Sequence, residues 1–166
     1  MKKTRARWLV LVAAVVVGVI IIGGRIRQQL RVESREQPVT EADLRILQRA
    51  DALLNDPASW NRHDDRVCSD DEATGKRSLF CALQKADTEV LGTYEHRSVA
   101  LQEVRFAVED AMRDRQNNLM FDALRHFRLP HRLMDFNNLP DTRFEDVHNV
   151  LRVATTRVAA RMAANR

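Results

Sequence analysis

From residue 40 onward, apolar positions recur every three or four residues, the spacing of a helix with one buried face. In "TEADLRILQRADALLND", residues 40–56, Ile46, Leu47, Ala50, Leu53 and Leu54 fall on one side. Thr40 with Asp43 reads as a capping box in which Asp replaces the usual Glu or Gln. Asp56-Pro57 ends the run, because proline pushes the residue before it out of helical geometry. A polar, irregular stretch follows through Arg77, with Trp60 as its one large aromatic. Ser78 then opens a helix over "LFCALQKADTEVL", and Gly92 is a natural stop. A longer helix is expected over residues 95–116, burying Leu101, Val104, Val108, Ala111 and Met112. A short one is expected over "NNLMFDALRHFRL", ended by Pro130. The last helix has the most continuous face: Phe144, Val147, Leu151, Ala154, Val158 and Met162, behind a capping box of Thr142 and Glu145. No useful stretch alternates apolar and polar positions, so the expected class is all-α.

The first 39 residues follow another rule. "WLVLVAAVVVGVIIIGG", residues 8–24, carries no charge and is flanked by Lys and Arg on both sides. As a helix it measures about 25 Å, enough to span a bilayer. Trp8 stands where an interfacial aromatic belongs. A cleaved signal peptide would have a shorter apolar run and a small-residue cleavage site; this run ends in "IIIGGRIR". The expected organisation is a cytoplasmic basic tail (1–7), a transmembrane helix (8–24), a juxtamembrane stalk (25–39) and a helical domain (40–166) of four to five bundled helices. Lys and Arg are equally numerous on either side of the apolar run. The short, densely positive tail is hard to export, whereas a long domain translocates largely regardless of charge. The expected placement is the bacterial inner membrane, single-pass, with the C-terminal domain in the periplasm.

Charge changes one conclusion. The chain carries 27 Lys/Arg against 23 Asp/Glu, a net +4 that would suit nucleic acid. Eight of the basic residues and only two of the acidic ones lie in residues 1–36. What remains is slightly acidic, so no nucleic-acid partner is expected. The expected partners are the lipid bilayer, through residues 8–24, and another protein.

Candidate chemistry is sparse. Cys68 and Cys81, the only cysteines, are not a CxxC pair. In an oxidising compartment such a pair is most simply a disulfide; unpaired thiols, a metal site and a nucleophile are the alternatives. His63, Asp64 and Asp65, with Asp70, Asp71 and Glu72 beyond, are hard-ligand candidates for a metal, but the spacing lacks the glycine and terminal Glu of an EF-hand. The competing reading is a solvated acidic loop balanced by Arg62, Arg66, Lys76 and Arg77. No HExxH, GxSxG or glycine-rich phosphate loop occurs, and no cofactor is expected. "LMDFNNLPDTRFEDV", residues 133–147, reads as turn chemistry. It is either a corner that sets the angle of the last helix or, with Trp60, Asn137, Asn138 and Asp141, a recognition loop.

Four pieces in order carry a resemblance. They are an opening helix that ends near Trp60, the "CAL" helix at Cys81–Leu83, the "FNNLPDT" corner at Phe136–Thr142, and a helix from Asp146-Val147 to Ala154. Together, over roughly residues 40–160, they resemble a small uncharacterised family of helical domains of bacteria and phages. The resemblance implies a helical domain and carries no activity with it; the anchor and Cys68 depart from the family pattern. The expected function is a membrane-anchored envelope protein whose periplasmic domain binds another protein, in an accessory or immunity-type role, without catalysis. The alternatives are a metal-dependent hydrolase using the His63–Glu72 loop, or a phage-derived envelope factor.

Overall fold

Thr40 and Asp43 start the first helix, α1 (Glu41–Leu53), as the sequence expects. The Asp43 carboxylate accepts from the Thr40 backbone N–H at 2.9 Å and from its hydroxyl at 2.8 Å, and Thr40 Oγ1 accepts in turn from the Asp43 N–H. Asp56 then caps a single 3-10 turn, Pro57–Ser59, by accepting from the N–H groups of Ala58 and Ser59. The chain is a computed structural model, and the structure describes residues 37–65, 67–68, 74–116 and 131–165. Residues 8–24, expected to cross a membrane, and the helix expected over 117–129 lie outside the described residues. Among the described residues no helix is long and apolar enough to cross a membrane.

After the 3-10 turn the backbone pairs once with a distant strand-like residue. The Asn61 N–H donates to the Arg77 carbonyl, and the Arg77 N–H donates to the Ser59 carbonyl. Ser78 then caps α2 (Leu79–Leu91) by accepting from the Cys81 N–H at 3.1 Å. Gly92 ends it in the left-handed region, φ 79°, which a residue without a Cβ enters at little cost.

Two helix starts differ from expectation. The long helix, α3 (Val99–Gln116), begins four residues late. Its expected first residue, Glu95, has its N–H held at 2.6 Å by buried Asp87, and Glu95–Ser98 close a turn instead. The free N-terminus of α3 is capped from another helix: the second oxygen of Asp43 accepts from the Ala100 N–H at 3.1 Å. The last helix, α5 (Phe144–Ala164), starts one residue later than a Thr142–Glu145 box requires. Thr142 is buried and its N–H closes the preceding turn onto the Leu139 carbonyl. The cap shifts to Arg143, whose N–H donates to the Asp146 carboxylate at 2.8 Å.

The segment read as turn chemistry contains an additional short helix, α4 (Arg132–Asn138), so that Asn137 and Asn138 are its last turn. Among the described residues there are thus five α-helices and no strand. Residues 38–166 form one compact unit. In it α1 packs on α2 and α5, α3 packs on α5, and α4 lies against α3 and α2. Ile46, Leu47, Leu83, Leu101, Val104, Val147, Leu151 and Phe136 fill the core, as the apolar spacing foretold for most of them. Ala50, Ala82, Ala86, Ala100, Ala107 and Ala154 line the same core, and their small side chains let the helices approach closely.

Candidate functional site

The irregular segment from Pro57 to Cys68 is the region the sequence left undefined, and its described residues prove to be heavily pinned. Asn137, wholly buried at the end of α4, supplies two of the pins and a third bond beyond the segment. Its Oδ1 accepts from the Trp60 indole N–H at 2.8 Å and from the Leu79 backbone N–H at 3.1 Å. Its amide nitrogen donates to the Asn61 carbonyl at 3.0 Å and to the Asn138 side chain at 3.1 Å. Two donors and two acceptors exhaust what a side-chain amide can do. The Leu79 contact also means that one amide caps the first turn of α2.

Asn138 then mimics a strand. Its Oδ1 accepts from the Asp64 backbone N–H at 2.7 Å, and its Nδ2 donates to the Asp64 carbonyl at 2.9 Å. Trp60 packs against Phe144, with ring centroids 6.1 Å apart. The Arg62 guanidinium lies 6.0 Å from the Trp60 ring and donates to the carbonyls of Leu139 and Pro140. At the far end, Cys68 and Cys81 form a disulfide, Cα–Cα 5.5 Å, which ties the segment to α2. Closing a loop of 13 residues is worth about 3 kcal/mol in the chain-entropy model.

Of the residues read as a recognition loop, the structure brings Trp60, Asn137 and Asn138 together by direct hydrogen bonds. Asn137 is buried, so its role is to hold the corner. Asp141 sits exposed in the turn before α5. The metal candidates divide. His63 is exposed, Asp64 is buried with its backbone on Asn138, and Asp65 Oδ1 accepts from the Val67 N–H at 2.9 Å. Among the described residues no group of three His, Cys, Asp or Glu side chains converges on a point; Asp70, Asp71 and Glu72 lie outside them. What the pinned segment does present outward is Arg62, His63, Asp65 and Val67. Val67 is 66% exposed, and among the described residues no other large apolar side chain is exposed.

Two histidines that look isolated in the sequence have partners. The His148 Nε2 lies 2.6 Å from the Leu54 carbonyl and its Nδ1 2.8 Å from Asp51, so α5 grips the end of α1. The His96 Nδ1 lies 2.9 Å from the Tyr94 hydroxyl, beside Arg105. Burial, then the Arg105 and Arg97 charges, hold the His96 ring below its ordinary pKa. Neither grouping is visible as a motif, because its members are distant in sequence or lie in an unremarkable loop. Burial raises the Tyr94 hydroxyl and lowers Arg105.

No curated protein and no solved structure matches this chain. A family model described as a family of unknown function (DUF6197) matches residues 38–157, from two residues before the first capping box through most of α5. The matched span contains the capping Asp43, Trp60, both cysteines and the Asn137-Asn138 clamp, and it covers well over half of the sequence. The chain therefore belongs to that family of unknown function.

Proposed function

We propose that this is a membrane-anchored envelope protein whose helical domain works by contact with another protein rather than by catalysis, and that the contact surface is the pinned segment Arg62–Val67. One observation carries the reading: a valine 66% exposed to water on a backbone that two asparagine side chains and a disulfide hold still. An exposed apolar side chain gains free energy by being covered. A loop already fixed in its bound shape pays little ordering entropy on association. The neighbours Arg62, His63 and Asp65 provide the polar rim that such a contact needs.

The anchor is residues 8–24, and the domain faces the periplasm of a bacterium. The supporting features are the uncharged run with its basic flanks and the Cys68–Cys81 disulfide, a bond that persists in oxidising compartments.

Site-specific photo-crosslinking in intact cells tests the contact. A photoreactive residue at position 67 should give one discrete product, whereas the same residue at exposed Arg152, on α5, should not. Val67→Asp should abolish the product formed from position 63 while leaving the thermal midpoint unchanged. Equal crosslinking from both faces, or none from 63 and 67, overturns the reading. A membrane-impermeant thiol reagent tests the placement: Cys68 and Cys81 should label in intact cells only after reduction. Labelling that requires opening the cytoplasm instead would place the domain inside.

A further inference from the structure

The connection between α2 and α3 holds a charge arrangement that neither the fold nor the contact surface explains. Arg105, in the second turn of α3, is partly buried. Its Nη1 donates to the His96 carbonyl at 2.9 Å, and its Nη2 lies 3.5 Å from each ring nitrogen of His96, so the guanidinium rests against the imidazole. The Nδ1 of that imidazole also lies 2.9 Å from the Tyr94 hydroxyl. Tyr94 is itself braced edge-on by Phe80.

Among the described residues no carboxylate pairs with Arg105. The contrast with its neighbours is sharp: Arg157 pairs with Asp110 at 2.8 Å, Arg161 with Glu103 at 2.7 Å, and Arg132 with Glu109 at 2.6 Å. Arg105 instead feels the like charges of Arg132 and Arg97. Arg132 is already neutralised by Glu109, so among the described residues the pair without a carboxylate is Arg105 with exposed Arg97. Asp87 of α2 is fully buried and spends one oxygen on the Glu95 N–H. Burial drives the Arg105 pKa down; Tyr94 pulls it back up, and the like charges of Arg132 and Arg97 add smaller downward pushes. A half-buried guanidinium without a counter-ion costs free energy in the absence of an anion. Its fork of donors suits a tetrahedral oxyanion.

We propose that this corner, Arg105 against the His96 ring with Arg97 next to His96 in the chain, is a binding site for a phosphate group, either free or as a monoester. Two uncompensated guanidinium groups match the charge of close to two that such a group carries at neutral pH, which favours it over a single carboxylate. The His96 carbonyl and ring hold Arg105 in place, and Tyr94 holds the His96 ring. The site is independent of the Arg62–Val67 surface.

Calorimetric titration of the full chain in detergent, with sodium phosphate at constant ionic strength, tests it. Saturable binding of one phosphate per chain is expected. Arg105→Gln should weaken it by about tenfold or more, the value of a charge-assisted contact. Arg97→Gln, at an exposed position, should weaken it several-fold without moving the thermal midpoint measured in phosphate-free buffer. Glycerol 3-phosphate run in parallel identifies the source. Equal affinity assigns the free anion, and tighter binding assigns a monoester; both uphold the site. Heat that never saturates, or affinities unchanged in both variants, overturns it.

Discussion

Helix α2 is entered and left through two connections of opposite character. On the entry side, the Pro57–Cys68 segment is held by Asn137, whose two donors and two acceptors are all matched, and by Asn138. On the exit side, residues 92–98 and their neighbours gather a buried aspartate, a tyrosine, a histidine and two arginines that pair with no carboxylate among the described residues. There Asp87 Oδ1 and the Ser98 hydroxyl lack any partner among the described residues. Neutral hydrogen bonds cost little to bury when complete, and they fix one geometry. Charges cost more and leave tension unless something external completes them. The entry side therefore behaves as a scaffold and the exit side as a place for a ligand.

The strongest way to break this contrast is to empty the scaffold side. Asn137→Ala should leave the Trp60 and Leu79 N–H groups and the Asn61 carbonyl unpaired. At about 1–3 kcal/mol for each unsatisfied buried group, with partial relaxation, a loss of about 3–5 kcal/mol is expected in urea denaturation. Asn138→Ala, which frees the Asp64 backbone and one Asn137 donor, should cost less; an equal cost would remove Asn137 from the centre of the clamp.

Next comes the staple. Cys68→Ala with Cys81→Ala should lower stability by about 2–4 kcal/mol. The same pair made in an Asn137→Ala background should cost measurably less, because both devices order one segment. Strict additivity would mean that they act independently.

Asp43→Ala tests whether one carboxylate starts two helices. Its removal strips the α1 box and the Ala100 cap together, and about 2 kcal/mol is expected. Amide hydrogen exchange should quicken at the start of α3 as well as at α1. Change confined to α1 would leave the shared cap without energetic weight.

The smallest effect belongs to the exit side. His96 is held below its ordinary value of about 6.5. Below that value the unfolded chain binds a proton that the folded chain resists, so this histidine's contribution is present above pH 6.5 and lost as pH falls toward its lowered folded value. His96→Gln should flatten the fall in thermal midpoint between pH 7 and pH 5. An identical slope in the variant would assign the acid sensitivity to other groups.

Much of this architecture could be read from the chain without coordinates. The Thr40–Asp43 box, the break at Asp56-Pro57, the Ser78 cap and the Gly92 stop are interactions within four residues, and each stands where the pattern put it. The buried stripe of α5 is legible for the same reason. Reading the fold failed wherever another group, from an earlier helix or from the preceding turn, took a local one's hydrogen bond. Asp87 captured the Glu95 N–H and delayed α3. The Leu139 carbonyl captured the Thr142 N–H and moved the cap of α5 to Arg143. The asparagines of "FNNLPDT" looked like turn formers because their local chemistry is that of turns; burial against Trp60 and Asp64 made them a clamp.

By itself, then, the sequence determined helix class, most helix ends, the core faces and the one pair of cysteines available to meet, because helical spacing and capping act over a few residues. Only the tertiary structure decided that Asn137 would satisfy groups 58 to 77 positions away. It also decided that Asp43 would serve a second helix, and that Arg105 would meet no carboxylate among the described residues. Those outcomes depend on which polar groups packing leaves buried side by side, and nothing within a single helical turn encodes that.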